Sequence, residues 1–443
     1  MGERINKINK ILAIIYLTLV MLGVFLPDSF VIGIHRLPEG IRLDPFQMII
    51  RWFNYASFVV LPIAAIYNKN IFKKVAVYFC LPIGIIYMCL FGQMIECFTS
   101  TNGTGIVDIR YLPEIIPLIM HNGVFRGIIF FITCLVEYAI IALLIIKDYS
   151  FLKFKKNEII PFIVLLICSI LTIMPVYALE GIFNTYTDFI FYRFSFLHIM
   201  WIIILIAEAV LLTIMFRKKS EEDRYILVLI LALSLFLQFN QLFSSLGELT
   251  CKRMPLQLCN IAAYVILLSI VTKKRNLFLF NILINVAGGL IALFVLDAET
   301  DLGILSKGNV HYIVEHHNVI LVPILCLTLG VFKPITMKDF KSFVTNFSLY
   351  YIVIFIIGTL FNALYVHTGS DYFYCNYLFM FDQETAARLI PFAGKMFDIK
   401  FNIGPATIYP LIQPLIYIAF FAIGTAAFFI FKAAIKEKKV SEI

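Results

Sequence analysis

Apolar runs of roughly 17 to 25 residues, each long enough to cross about 30 Å of hydrocarbon, recur along the whole chain and constrain its fold more than any other feature. In hydrocarbon every backbone N–H and C=O must be bonded within its own segment, so repeated runs of this kind dictate α-helices. Composition agrees, with 61% of the 443 residues hydrophobic, 14% charged and a mean hydropathy of +0.93. The expected fold is all-α, a polytopic membrane helical bundle. Window hydropathy places twelve spans near 8–26, 46–66, 74–96, 123–147, 158–178, 196–216, 225–245, 255–272, 276–296, 311–332, 343–366 and 406–432. Arg4, Lys7 and Lys10 ahead of Ile11–Leu26 have the pattern of a secretory signal. No small-residue cleavage site precedes Pro27, so the expectation is a retained first helix.

Charge tests this threading, because Lys and Arg collect on the cytoplasmic side of alternate loops. With the N-terminus in the cytoplasm, seven basic sets fall inside, from Arg4, Lys7 and Lys10 through Lys273, Lys274 and Arg275 to Lys432, Lys436, Lys438 and Lys439. They hold 24 of the 36 basic residues, while acids such as Asp28, Asp108, Asp297, Asp371 and Asp382 fall outside. The expectation is a multi-pass cell-membrane protein with both termini cytoplasmic. The net charge of +8 is thereby a matter of topology, and no nucleic-acid partner is expected.

The two halves echo each other, 1–220 as an N-terminal and 221–443 as a C-terminal six-helix repeat. A tight basic loop follows the second span of each half (Asn68 to Lys74; Lys273 to Asn276), and a long outer loop follows the third. Pro45-Phe46-Gln47-Met48 parallels Pro255-Leu256-Gln257-Leu258, His121-Asn122 parallels His317-Asn318, and Tyr186-Thr187-Asp188-Phe189 parallels Gly369-Ser370-Asp371-Tyr372. Six spans per copy make the repeats parallel, about an axis along the membrane normal. On these echoes Ile49 stands where Cys259 does, so the first copy has no thiol.

Chemistry concentrates in the second half. Pro255 suits the first position of a helix, and Cys259 would then lie about one turn inside, where the helix dipole favours a thiolate. His316 and His317 start from the corresponding membrane depth on another span, and Asn318 or Glu315 could orient either ring. Helix-start amides, with Gln257 or Asn260, could hold an oxyanion. Gly288, Gly289 and Asp297 belong to the helix between. The outer loop Asp371-Tyr372-Phe373-Tyr374-Cys375-Asn376-Tyr377-Leu378-Phe379 is aromatic enough for a lid or an interfacial belt. Glu137 and Glu208 sit within apolar runs, where a carboxyl is costly unless paired or near water. Of the nine cysteines, Cys80, Cys89, Cys134, Cys168 and Cys326 read as packing residues, whereas Cys97, Cys251 and Cys375 are candidates for an outer-face disulfide. No metal-ligand spacing, nucleotide loop or HExxH motif is present, and neither metal nor cofactor is expected.

Pro255–Cys259, Gly288–Leu293 with Asp297, His316–Asn318 and Asn376–Phe379 resemble the YwaF-type integral membrane proteins of bacteria. These are similar to a eukaryotic transmembrane group that remodels phospholipids by acyl transfer. The resemblance spans roughly Phe196 to Met380. It implies Cys259 as nucleophile and His316 or His317 as base, with Gln257, Asn260, Asn318, Asp297, Asn376 and Tyr377 in support. The expected function is lipid acyl transfer at the outer leaflet, with membrane lipids as partners. The alternatives are a lipid ester hydrolase, by a looser likeness, and a transporter or flippase built of two six-helix halves.

Overall fold

The computed structural model describes residues 2–25, 45–100, 123–173, 189–245, 251, 254–295, 303–305, 307–383, 386 and 392–434. Its helices are α1 (Gly2–Phe25), α2 (Pro45–Asn54), α3 (Ala56–Tyr67), α4 (Asn70–Val75), α5 (Leu81–Ser100), α6 (Gly123–Lys147), α7 (Ile159–Leu171), α8 (Phe196–Phe216) and α9 (Glu221–Ser245). They continue with α10 (Leu258–Thr272), α11 (Arg275–Phe280), α12 (Val286–Val295), α13 (Lys307–Thr328), α14 (Lys338–Thr368) and α15 (Ile412–Ala434). Each expected span overlaps a helix among the described residues. Among the described residues, eight helical stretches are long and apolar enough to cross a membrane, and Trp52–Tyr67 and Leu258–Thr272 are apolar but shorter. The protein is a multi-pass, mostly helical membrane protein.

One element departs from the all-α expectation. Residues 406–408, expected to open the last span, instead form the second strand of a hairpin, β1 (Phe401–Ile403) against β2 (Ala406–Ile408), with Phe401 opposite Ile408 and Ile403 opposite Ala406. Gly404 takes φ 58°, the positive angle a two-residue turn needs, and Pro405 the negative one. The last helix therefore begins at Ile412.

The chain forms two compact units, one of Met1–Asp188, Leu237–Glu248 and Leu302–His311, the other of Phe189–Phe236, Leu249–Asp301 and Tyr312–Ile443. In the first, α1 buries Ile5, Asn9, Ala13, Tyr16 and Val20, a stripe at helical spacing that packs on α3 and α6. Asn68 ends α3 with φ 56°, Lys69 is extended, and the six-residue α4 runs through a π-helical segment, Ala76–Cys80, into α5. Lys74 Nζ lies 2.7 Å from Glu158 Oε2, which also accepts the Lys155 N–H at 2.9 Å. The Lys74 hydrogen bond, with that amide, holds the Glu158 carboxyl below the usual carboxylate range.

The second unit repeats this local grammar. Lys273 ends α10 with φ 53°, Lys274 is extended, and the six-residue α11 runs through the π-helical Asn281–Asn285 into α12. Arg275 binds Asp339 with both arms, Nε to Oδ1 at 2.8 Å and Nη2 to Oδ2 at 2.6 Å, and Asp339 Oδ2 accepts the Thr336 N–H at 2.7 Å. In both units an acid at a helix start thus accepts the amide three residues before it and a basic side chain from the short helix.

Candidate functional site

The Cys259 helix begins later than its proline suggests. Pro255 lies in a turn, Gln257 is the N-cap with extended φ/ψ, and Cys259 is the second helical residue. The Ile261 N–H bonds the Gln257 carbonyl at 2.9 Å, so the amides of the first helical turn before it have no helical acceptor and point out of the helix start. Cys259 is half-buried, and its Sγ–H donates to Asn260 Oδ1 at 3.2 Å. A thiol hydrogen-bonded in this way needs a base to become a nucleophile.

The two histidines have different surroundings. His317 Nδ1 accepts the Trp201 indole N–H at 3.3 Å, which places its proton on Nε2, and Nε2 donates to Glu208 Oε2 at 2.9 Å. Both its ring nitrogens are thus engaged by α8. His316 is buried, with Nδ1 2.7 Å from the Tyr312 carbonyl oxygen one turn earlier and its ring 4.3 Å from the Tyr312 ring. A carbonyl only accepts, so Nδ1 carries a proton, and Nε2 is the basic nitrogen of the neutral ring. The Tyr312 carbonyl thus orients this ring, and the Asn318 amide bonds the Val314 carbonyl at 3.0 Å.

Two adjacent glycines set the helix spacing around these residues. A Cβ on Gly288 would lie 3.6 Å from Leu258 Cδ1, and one on Gly289 would lie 2.9 Å from Ile320 Cγ1. Leu258 precedes Cys259, and Ile320 follows His316 by one helical turn. α10 and α13 therefore approach α12 at neighbouring positions, each within a turn of the residue of interest.

The aromatic loop packs onto the head of α10. Gln257 Oε1 accepts the Leu378 N–H at 2.8 Å, Tyr377 donates its phenol proton to the Cys251 carbonyl, and Tyr350 Oη donates to the Leu256 carbonyl at 2.7 Å. Leu378 and Phe379 take φ 54° and 61°, left-handed angles that non-glycine residues hold only when surrounding bonds impose them. Asn376 Oδ1 accepts the Phe381 N–H at 3.0 Å, inside the loop. Gln257 and Tyr377 thus strap the loop to the motif, and Gln257's carbonyl oxygen faces Leu378. Asp297 lies outside the described residues. Cys251 and Cys375 are free buried thiols, Cys375 being pushed up to about 12 by burial, and the side chain of Cys97 lies outside the described residues.

Three participants escaped the reading of sequence. Trp201 and Tyr312 reach the histidines from positions that only packing reveals, although Tyr312 at one helical turn before His316 was a legible signal. His198, fully buried, bonds the Leu293 carbonyl through Nε2 at 2.8 Å and the Phe194 N–H through Nδ1 at 2.9 Å, a locking role between α8 and α12.

A multi-pass helical membrane protein in which a thiol-bearing and an imidazole-bearing helix flank a glycine pair is the class these features define. The chain belongs to the TMEM164 family, a eukaryotic transmembrane protein family, whose model matches residues 191–425, more than half of its length. The match reaches beyond the expected Phe196–Met380 at both ends, leaves the N-terminal 190 residues outside, and carries no YwaF designation. No curated protein and no solved structure matches the chain significantly.

Proposed function

We propose that this protein is a membrane-embedded lipid acyltransferase in which Cys259 is the nucleophile and His316 the base. The observation that carries the reading is the Gly288–Gly289 contact, which sets the Cys259 and His316 helices against neighbouring positions of α12. His316 Nε2 takes the thiol proton as Sγ bonds to the acyl carbonyl carbon, and helix-start amides stabilise the oxyanion. The lipid alkoxide leaves with that proton. A lipid hydroxyl then gives its proton to Nε2 and attacks the thioester; Sγ leaves and regains the proton. Water in place of the lipid hydroxyl gives hydrolysis. Gln257, Asn260, Asn376 and Tyr377 hold the motif and its strap, and Asp297 and Asn318 are supporting residues of the same motifs.

The matched π-helical segments and capped acids support two parallel six-helix repeats and twelve crossings, and the basic loops support a cell-membrane protein with cytoplasmic termini. Incubating the full chain in vesicles with a phospholipid labelled in its acyl chain tests the chemistry. A hydroxylamine-labile label should appear on the wild-type protein and be missing from Cys259→Ala. Label that survives the substitution would refute the assignment.

A further inference from the structure

The N-terminal unit holds a polar cluster outside the family match. Glu137 on α6 is 2% exposed, and Tyr16 and Ser57 are fully buried. Tyr16 Oη lies 2.8 Å from Ser57 Oγ and 3.4 Å from Glu137 Oε2, and Ser57 Oγ lies 2.6 Å from the Asn54 carbonyl oxygen. That carbonyl is free because the helix breaks at Tyr55: the Phe58 N–H, which would have bonded Asn54, bonds the Tyr55 carbonyl at 3.1 Å.

The cluster occupies a telling place in its half. Counting back from the left-handed cap, Asn54 precedes Asn68 by as many residues as Cys259 precedes Lys273. Counting back from the capped acid, Glu137 precedes Glu158 by as many as Asn318 precedes Asp339. Two independent registers therefore set this cluster where the other half carries its cysteine and its histidines, and Asn54, not Ile49, answers to Cys259.

Proton counting defines its chemistry. A carbonyl only accepts, so Ser57 spends its one proton on Asn54, and its oxygen must accept from Tyr16. Tyr16 has then spent its own proton, and a lone pair of its oxygen faces Glu137 Oε2. A carboxylate there would set two acceptors against each other inside hydrocarbon, whereas a carboxylic acid donates and completes the chain. Glu137 Oε1 has no hydrogen-bond partner among the described residues, and a Cβ on Gly84 would lie 3.0 Å from it. Among the described residues, the titratable groups facing Glu137 are Tyr16 from α1, Cys80 from the π-helical segment, and Cys134 and Tyr138 from α6 itself; none of these is cationic.

We propose that Glu137 is a proton-binding site, the acid head of a hydrogen-bonded chain running Glu137, Tyr16, Ser57 and the Asn54 carbonyl at the helix break. The ligand is the proton itself. Its loss would turn Tyr16 toward the carboxylate and away from Ser57, so the α2–α3 break is the element that senses it.

Infrared spectra of the full chain in lipid vesicles at neutral pH test this. The wild type should show a protonated-carboxyl stretch that shifts in heavy water, is missing in Glu137→Gln and is indifferent to replacing sodium by choline. Tyr16→Phe should keep the stretch and move it to higher frequency, since the acid loses its acceptor. A Glu137→Gln difference confined to carboxylate bands, a stretch that appears only without sodium, or one unmoved by Tyr16→Phe would each overturn the proposal; the sodium result would mark a monovalent-cation site instead.

Discussion

Two neighbouring histidines should respond in opposite ways to truncation. His316→Ala removes the imidazole proposed as the base, and a positioned general base contributes about 10² to 10⁴ in rate. At about 1.36 kcal/mol per decade, that is roughly 2.7 to 5.4 kcal/mol of barrier. It also gives up the hydrogen bond to the Tyr312 carbonyl and the contact with the Tyr312 ring. His317→Ala removes no free lone pair, because Trp201 and Glu208 hold both its nitrogens. It leaves a nearly buried indole N–H unpaired, costing about 1 to 3 kcal/mol of stability, while Glu208 is 38% exposed and can hydrate. Acyl exchange and thermal unfolding, measured on the same vesicle preparations, separate the effects. His316→Ala should lose at least a hundredfold in turnover with a small change in melting; His317→Ala should melt earlier and stay within tenfold of wild type. A folded His317→Ala protein without turnover, beside an active His316→Ala protein, would refute the assignment of the base.

Gly289→Ala places a methyl 2.9 Å from Ile320 Cγ1, an overpacking that costs about 1 to 3 kcal/mol and pushes α13 off α12. Turnover should fall, and the double substitution with Ile320→Ala, which removes Cγ1, should recover part of it; strict additivity of the two changes would contradict this contact. The Glu158 carboxyl, held low by Lys74, stabilises the fold above its unfolded pKa of about 4.3, and that contribution is lost as pH falls through its lower folded value. Unfolding followed from pH 7 to pH 3 should show an acid-side loss that Glu158→Gln flattens, and identical profiles would remove the ion pair from the account.

The membrane class was legible in residues alone, because span length and backbone satisfaction are local demands that each apolar run meets by itself. The same holds for the basic loops, whose Lys69 and Lys274 become the extended residues between paired helices. The second strand of the hairpin, Ala406–Ile408, was hidden because it adjoins the apolar run of α15 and was read as the start of that span. Which neighbours each histidine takes was undecidable from the sequence His316-His317, since a turn of about 100° per residue sends the rings in different directions. Trp201 and Glu208 are more than a hundred residues from the ring they occupy, and Glu137 finds Tyr16 across a comparable separation. Hydropathy and charge act through the solvent on each segment separately and so are written in the chain. Protonation and pairing depend on which side chains meet once the helices pack, and only the tertiary structure decides that.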